Sequence, residues 1–206
     1  MHDTTDVPTE ITQGLYNFFQ GEIARLSAEL GNPAPADTQV YLAGVLSRFT
    51  NTNALFQNTD KGLDEEPLAF MLKRAMESAD DDRVRVMKHL GDVALYKSGF
   101  FADRIERQGL DLEYYINMGG MAYQNVSVLS SQRNAGGVFK ALYADLSTHF
   151  ADLVHVITEF FLRSQLASPA GIMKLYKRWE RTGSNQAARL LTNAGVILTP
   201  SGTTSH

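Results

Sequence analysis

The sequence predicts an all-α protein, a compact single-domain helical bundle of eight or nine helices. Three observations carry that reading. Apolar residues recur every three or four positions through most of the 206 residues, the period of one face of an α-helix. The periodic stretches are separated by short Gly, Pro, Ser and Asp signals, the residues that start and stop helices. The one strand-like run, "VILTP" at 196–200, is too short to imply a sheet and reads as an extended tail.

The elements follow in order. Residues 1–10 are polar and predict a flexible N-terminus. Ile11, Leu15, Phe18, Leu26 and Leu30, widened by Phe19 and Ile23, form the first apolar stripe, ended by Gly31 and Pro33. Asp37 is placed to cap a second helix carrying Tyr41, Leu42, Val45, Leu46 and Phe49. "QNTDKG" at 57–62 is a loop by composition. Asp64, Glu65 and Glu66 open a third helix with Pro67 in its first turn, and it runs to about Ser78. Asp80, Asp81 and Asp82 start the fourth, and a Gly-linked short helix covers 99–107. Asp111 caps the helix "LEYYINMGGMAYQNVSVL". Residues 138–166 are expected to form the longest helix. Ser168-Pro169 is an N-cap followed by Pro at the first helical position. Gly183-Ser184 separates that helix from a last one ending at Gly195. The domain therefore spans 11–195, followed by a tail at 196–206, and no second core is resolvable from the pattern.

Composition narrows the functional classes. With no cysteine, disulfides, thiol catalysis and thiolate zinc sites are excluded. No run of 18 apolar residues is present, so no membrane span is expected. The N-terminus lacks a basic start and an apolar segment, which points to the cytoplasm. Net charge is −4 but uneven: residues 1–82 hold 14 acids and 5 bases, whereas 171–206 hold 5 bases and 1 acid. This is read as solvated surface, with a basic docking face near the C-terminus as the sharper alternative.

The chemical candidates are His/Asp/Tyr groups. In "HLGDVALYKSGFF", 89–101, a helical wheel puts His89 on the apolar arc and Asp92 at its edge, with Tyr96 one turn on. A histidine there should be partly buried and need a partner. The downstream helix could turn Tyr114 and Tyr123 toward His89 and Asp92. These five residues form the candidate ligand-binding set, and a satisfied structural cluster is the plainer reading. Asp92 is expected to be a buried hydrogen-bond acceptor for tyrosines or backbone N–H groups, with Ser98 a local cap or hinge. Glycines 91 and 99 would let other backbone segments approach, and the pair 119–120 suggests close helix packing or a bend. A second H-x-x-D spacing, His149 and Asp152, is an alternative metal pair. The wheel, however, puts Asp145, Asp152, His155 and Glu159 on a polar, solvated face. No phosphate-loop or nucleophile-elbow context surrounds the glycine pairs or serines. Lys174, Lys177, Arg178 and Arg181, near Tyr176 and Trp179, could contact phosphate or RNA. A pI of about 5.7 argues against a dedicated nucleic-acid binder, and Trp179 reads as a core anchor.

Three blocks carry a resemblance: "LGD-x-ALY-x-SGFF" at 90–101, "YY-x-x-x-GG-x-AY" at 114–123 and "LY-x-RW-x-x-TGS" at 175–184. Together they resemble an uncharacterised helical family of bacterial proteins over roughly the C-terminal two-thirds of the chain. The matching residues include Gly91, Asp92, Tyr96, Ser98, Gly99, Tyr114, Tyr115, Gly119, Tyr123, Arg178, Trp179 and Ser184. The resemblance implies a compact helical bacterial protein and no catalytic role.

The expected function is that of a non-enzymatic, cytoplasmic interaction or regulatory protein that associates with itself or a protein partner, without a cofactor. Aromatic-rich helices such as "GLYNFF" and "ITEFFL" motivate it. The alternative is a small-ligand or metal-binding helical protein, oxidoreductase chemistry included, with a pocket lined by the His/Asp/Tyr set.

Overall fold

The structure, a computed structural model, describes residues 9–31, 33–55, 66–132 and 137–199. Among the described residues it is all-α: nine helices and no strand. The helices are α1 (Thr9–Glu29), α2 (Ala36–Leu55), α3 (Leu68–Glu77), α4 (Asp80–Arg107), α5 (Leu112–Gln132), α6 (Gly137–Thr148), α7 (Phe150–Gln165), α8 (Pro169–Thr182) and α9 (Asn185–Asn193). Residues 1–8, 56–65 and 200–206, with the expected frayed N-terminus, the 57–62 loop and the end of the tail, lie outside the described residues, as does the turn at 133–136. None of the described helices is long and apolar enough to cross a membrane. The chain folds as two compact units, Met1–Ile157 and Thr158–His206, the boundary falling inside α7.

The first unit is organised around α4, which packs on α2, α3 and α5, while α5 lies against α6 and α1 against α2. Seven consecutive residues of α4, Leu90 to Tyr96, are buried. A helix covered on every side must be apolar all round or have its polar groups paired, and Asp92 is the residue that needs pairing. The short helix expected at 99–107 is set off from the rest of α4 by a kink, with non-helical backbone at Phe101 (φ −120°, ψ 22°) and no intervening loop, and it runs to Arg107. Ser98 is buried and donates to the Ala94 and Leu95 carbonyls at 2.7 and 3.2 Å. It is therefore no cap. Such back-bonding beside a glycine bends a helix, which accounts for the kink just downstream.

Gly91, Gly99 and Gly119 make room for side chains, while at Gly120 the nearest neighbour is the Ser147 backbone carbonyl, 3.6 Å from where a Cβ would stand. A Cβ built on Gly91 would stand 2.5 Å from the Tyr123 ring, on Gly99 2.4 Å from Ile157, and on Gly119 2.1 Å from the Phe150 ring. Gly119→Ala should destabilise by about 1–3 kcal/mol through overpacking, although alanine has the better helix propensity. Thermal or chemical denaturation checks this; an unchanged or raised midpoint would mean that Phe150 yields freely.

Other boundaries differ in detail. The expected helix 138–166 is two helices, α6 and α7, divided at His149. Backbone bonds still run from His149 N–H to Asp145 (2.9 Å) and from Leu153 N–H to His149 (3.0 Å), so the periodic pattern continues through the break. The longest span is α4, 28 residues counted across its kink at Phe101. Pro67 is the N-cap of α3 rather than part of its first turn, which contains no acid. Asp37 lies in the first turn of α2 rather than before it.

The second unit joins the C-terminal end of α7 with α8 and α9. Leu162, Leu175, Ala187, Leu190 and Leu191 form its buried core, with Trp179, Tyr176, Val196 and Leu198 packed against it. Ser168 accepts from Gly171 N–H at 3.1 Å and Pro169 begins α8. Gly183 ends α8 with φ 64°, its N–H bonded to Trp179; that left-handed conformation suits glycine. Ser184 caps α9 through Ala187 N–H. Beyond α9, residues 196–199 belong to no helix or strand, and the Tyr176 hydroxyl donates to the Thr199 carbonyl at 2.9 Å.

Candidate functional site

The centre of the first unit is a buried carboxylate. Asp92 is 3% exposed, and four donors converge on it. Tyr41 and Tyr123 donate their hydroxyls to Oδ1 at 2.5 and 2.9 Å. Lys88 Nζ and Arg48 Nη2 reach Oδ2 at 2.9 and 3.1 Å. Tyr143 completes the aromatic wall, 5.6 Å from Tyr41 and 5.8 Å from Tyr123 between ring centroids. The Lys88 ammonium also sits 5.1 Å from the centre of the Tyr41 ring, a cation–π distance.

The cost of burying the carboxylate is thus met by two hydroxyls from the interior and two cations reaching in from the surface. Arg48 is 59% and Lys88 31% exposed at the side chain. Burial pushes the Tyr41, Tyr123 and Tyr143 hydroxyls above the usual phenol range, and the neighbouring Asp92 charge adds to that. They remain protonated donors at neutral pH and cannot serve as phenolate bases. An ionised carboxylate offers about four lone-pair sites. Four donors occupy these, so the cluster is chemically closed and acts as the polar keystone linking α2, α4 and α5.

The five residues expected around this point are only partly brought together. Asp92 and Tyr123 meet. His89 is exposed and lines a shallow surface depression with Arg74 and Arg85, contrary to the burial expected of it. Met87 and Leu90 on either side of it are buried, so α4 is already covered there on one side, and His89 faces away from that side. Tyr96 is buried in an aromatic stack, 4.7 Å from Phe49 and 4.9 Å from Phe100. Tyr114 is 42% exposed and packs edge-on against Tyr115. Tyr41, Arg48 and Lys88 were missed. Lys88 stands four residues before Asp92, a helical ion-pair spacing that could have been read; Tyr41 and Arg48 come from another helix.

The second H-x-x-D segment is a real juxtaposition. His149 Nδ1 lies 3.3 Å from Asp152 Oδ2, and its Nε2 lies 3.6 Å from Asp145 Oδ1. Asp145 is fixed in turn by the Thr38 hydroxyl, 2.5 Å from its Oδ2. These groups and His155 rim a cleft of about 270 Å³ beside the end of α1. Among the described residues, no group of three or more His, Asp and Glu side chains is disposed to hold a metal ion.

Glu159 overturns its expected solvation. It is 0% exposed and accepts from Gln186 (2.6 Å), Arg163 (2.8 Å) and Arg189 (3.0 Å). Burial works to raise its pKa, but the bonds from Gln186 and Arg163 and the charges of both arginines outweigh it. The carboxyl is held below its usual range. The wheel failed because it does not know that α9 covers this side of α7.

The basic residues of α8 share one stripe, with Lys174, Lys177 and Arg181 exposed and Arg178 half-buried. Trp179 is partly buried against the core of the second unit. Comparison with family models, with curated proteins and with solved structures returns no match for the chain.

Proposed function

We propose that the chain is a non-enzymatic, cytoplasmic helical interaction module that associates with itself. The observation that carries this reading is the end of the α5–α6 hairpin. Ser127 donates to the Lys140 carbonyl at 2.9 Å and so holds this end of α5 against the start of α6. Val128, Val138 and Phe139 are 47%, 66% and 58% exposed there. Apolar side chains gathered at one exposed end favour removal from water by about 25 cal/mol per Å² buried, and groups of them mark contact surfaces. A twofold pairing would place the same group of residues on both partners.

The alternative, a ligand or metal protein centred on Asp92, is less well supported because the four acceptor positions of that carboxylate are taken. Phe139→Glu tests the preferred reading. Sedimentation or light scattering should show the wild type assembling with concentration. The variant should dissociate at least about 30-fold more readily, as expected for an anchor worth about 2 kcal/mol, with its helical content and melting midpoint unchanged. A wild type that stays monomeric at every concentration would remove this reading.

A further inference from the structure

We infer that the cleft rimmed by Asp145, His149, Asp152 and His155 binds a small organic cation with an apolar body, such as a primary alkylammonium. The floor is made by Ile23, Leu153 and Val156, all under 5% exposed. Such a floor takes hydrocarbon, and the buried Ser27 beside it already donates its hydroxyl to the Ala24 carbonyl at 3.2 Å. Pro33 and Pro35 form part of one wall, and their fixed φ stiffens it before any ligand arrives.

The rim decides the charge of the occupant. It holds two carboxylates and two imidazoles. Even with both imidazoles protonated it carries no net positive charge, so it does not attract an anion. The carboxylates are also placed for a single donor group between them. Asp145 has Oδ2 engaged by Thr38, which fixes the carboxylate and aims Oδ1 toward His149. Asp152 faces the same imidazole from the other side at 3.3 Å. His149 therefore marks the position that an ammonium, with three donors, would take on displacing it. Volume limits the body. Water occupies about 30 Å³ per molecule in the liquid, so about 270 Å³ admits a ligand of roughly nine non-hydrogen atoms.

The test is a titration of the whole chain with hexylammonium, hexanol and hexanoate, three probes of equal length and different charge. It is followed by calorimetry and by the ring proton resonances of His149 and His155. Hexylammonium should bind saturably and move both rings. Hexanol should bind about tenfold more weakly, the low end for loss of a charge-assisted bond, and hexanoate more weakly still. Asp152 is well exposed, 57% at the side chain, so Asp152→Asn should fold normally, as circular dichroism would verify, and lose about tenfold in hexylammonium affinity. Equal binding of the three probes, tighter hexanoate, or an unchanged Asp152→Asn affinity would each overturn the assignment. So would the absence of saturable binding, or shifts confined to residues away from the cleft.

Discussion

Asp92→Ala should destabilise the first unit by about 3 kcal/mol. The substitution leaves the Tyr41 and Tyr123 hydroxyls without their acceptor, and a buried unsatisfied donor costs about 1–3 kcal/mol. Lys88 and Arg48 add little, because both side chains are exposed enough to turn back into water. Asp92→Asn should cost less, since its amide oxygen can still accept from the tyrosines, although its NH₂ then faces two cations. Tyr123→Phe removes one fully buried partner and should cost about 1 kcal/mol. Urea denaturation of the three variants gives the ranking. If Asp92→Ala melts like the wild type, the network is not holding α2, α4 and α5 together, and a functional role for Asp92 returns.

Glu159→Ala should be about as damaging to the second unit, again about 3 kcal/mol. Breaking a buried ion pair from one side costs roughly 3–5 kcal/mol. The low end applies because Arg189 is half exposed and can resolvate. The pH dependence follows from the lowered pKa. The folded unit holds Glu159 ionised below the ordinary value of 4.5, whereas the unfolded chain protonates it there. The contribution is therefore complete above about 4.5 and is lost as pH falls through the depressed folded value. Glu159→Gln should be less stable than wild type at neutral pH, and the difference should shrink in acid. A gap that stays constant between neutral pH and pH 3 would show that Glu159 has no linked proton in folding.

Both residues illustrate how far a helical pattern reaches. The need of Asp92 for donors was legible: a carboxylate at the edge of an apolar arc must find them, and the tyrosine-rich helix downstream supplies one, Tyr123. The burial of Glu159 was not. Its arc holds Asp152 and His155, which are exposed, and only the packing of α9 separates it from them. His89 failed in the opposite sense: it is exposed between buried Met87 and Leu90, because only one side of α4 is covered at that level.

The helical class, most helix boundaries and the cap at Ser168 are legible in the residues alone, because these depend on residues within a turn or two of each other. So is the need of Asp92 for partners. Which partners meet it is set by packing between distant segments: Tyr41 and Arg48 stand 51 and 44 residues away in sequence, and the Arg189 that holds Glu159 stands 30 residues away. The small core of the second unit was likewise visible only once α7, α8 and α9 were packed. A periodic pattern fixes the angle of a side chain about its own helix, but burial depends on where along that helix another helix crosses, and that is set by contacts between distant segments.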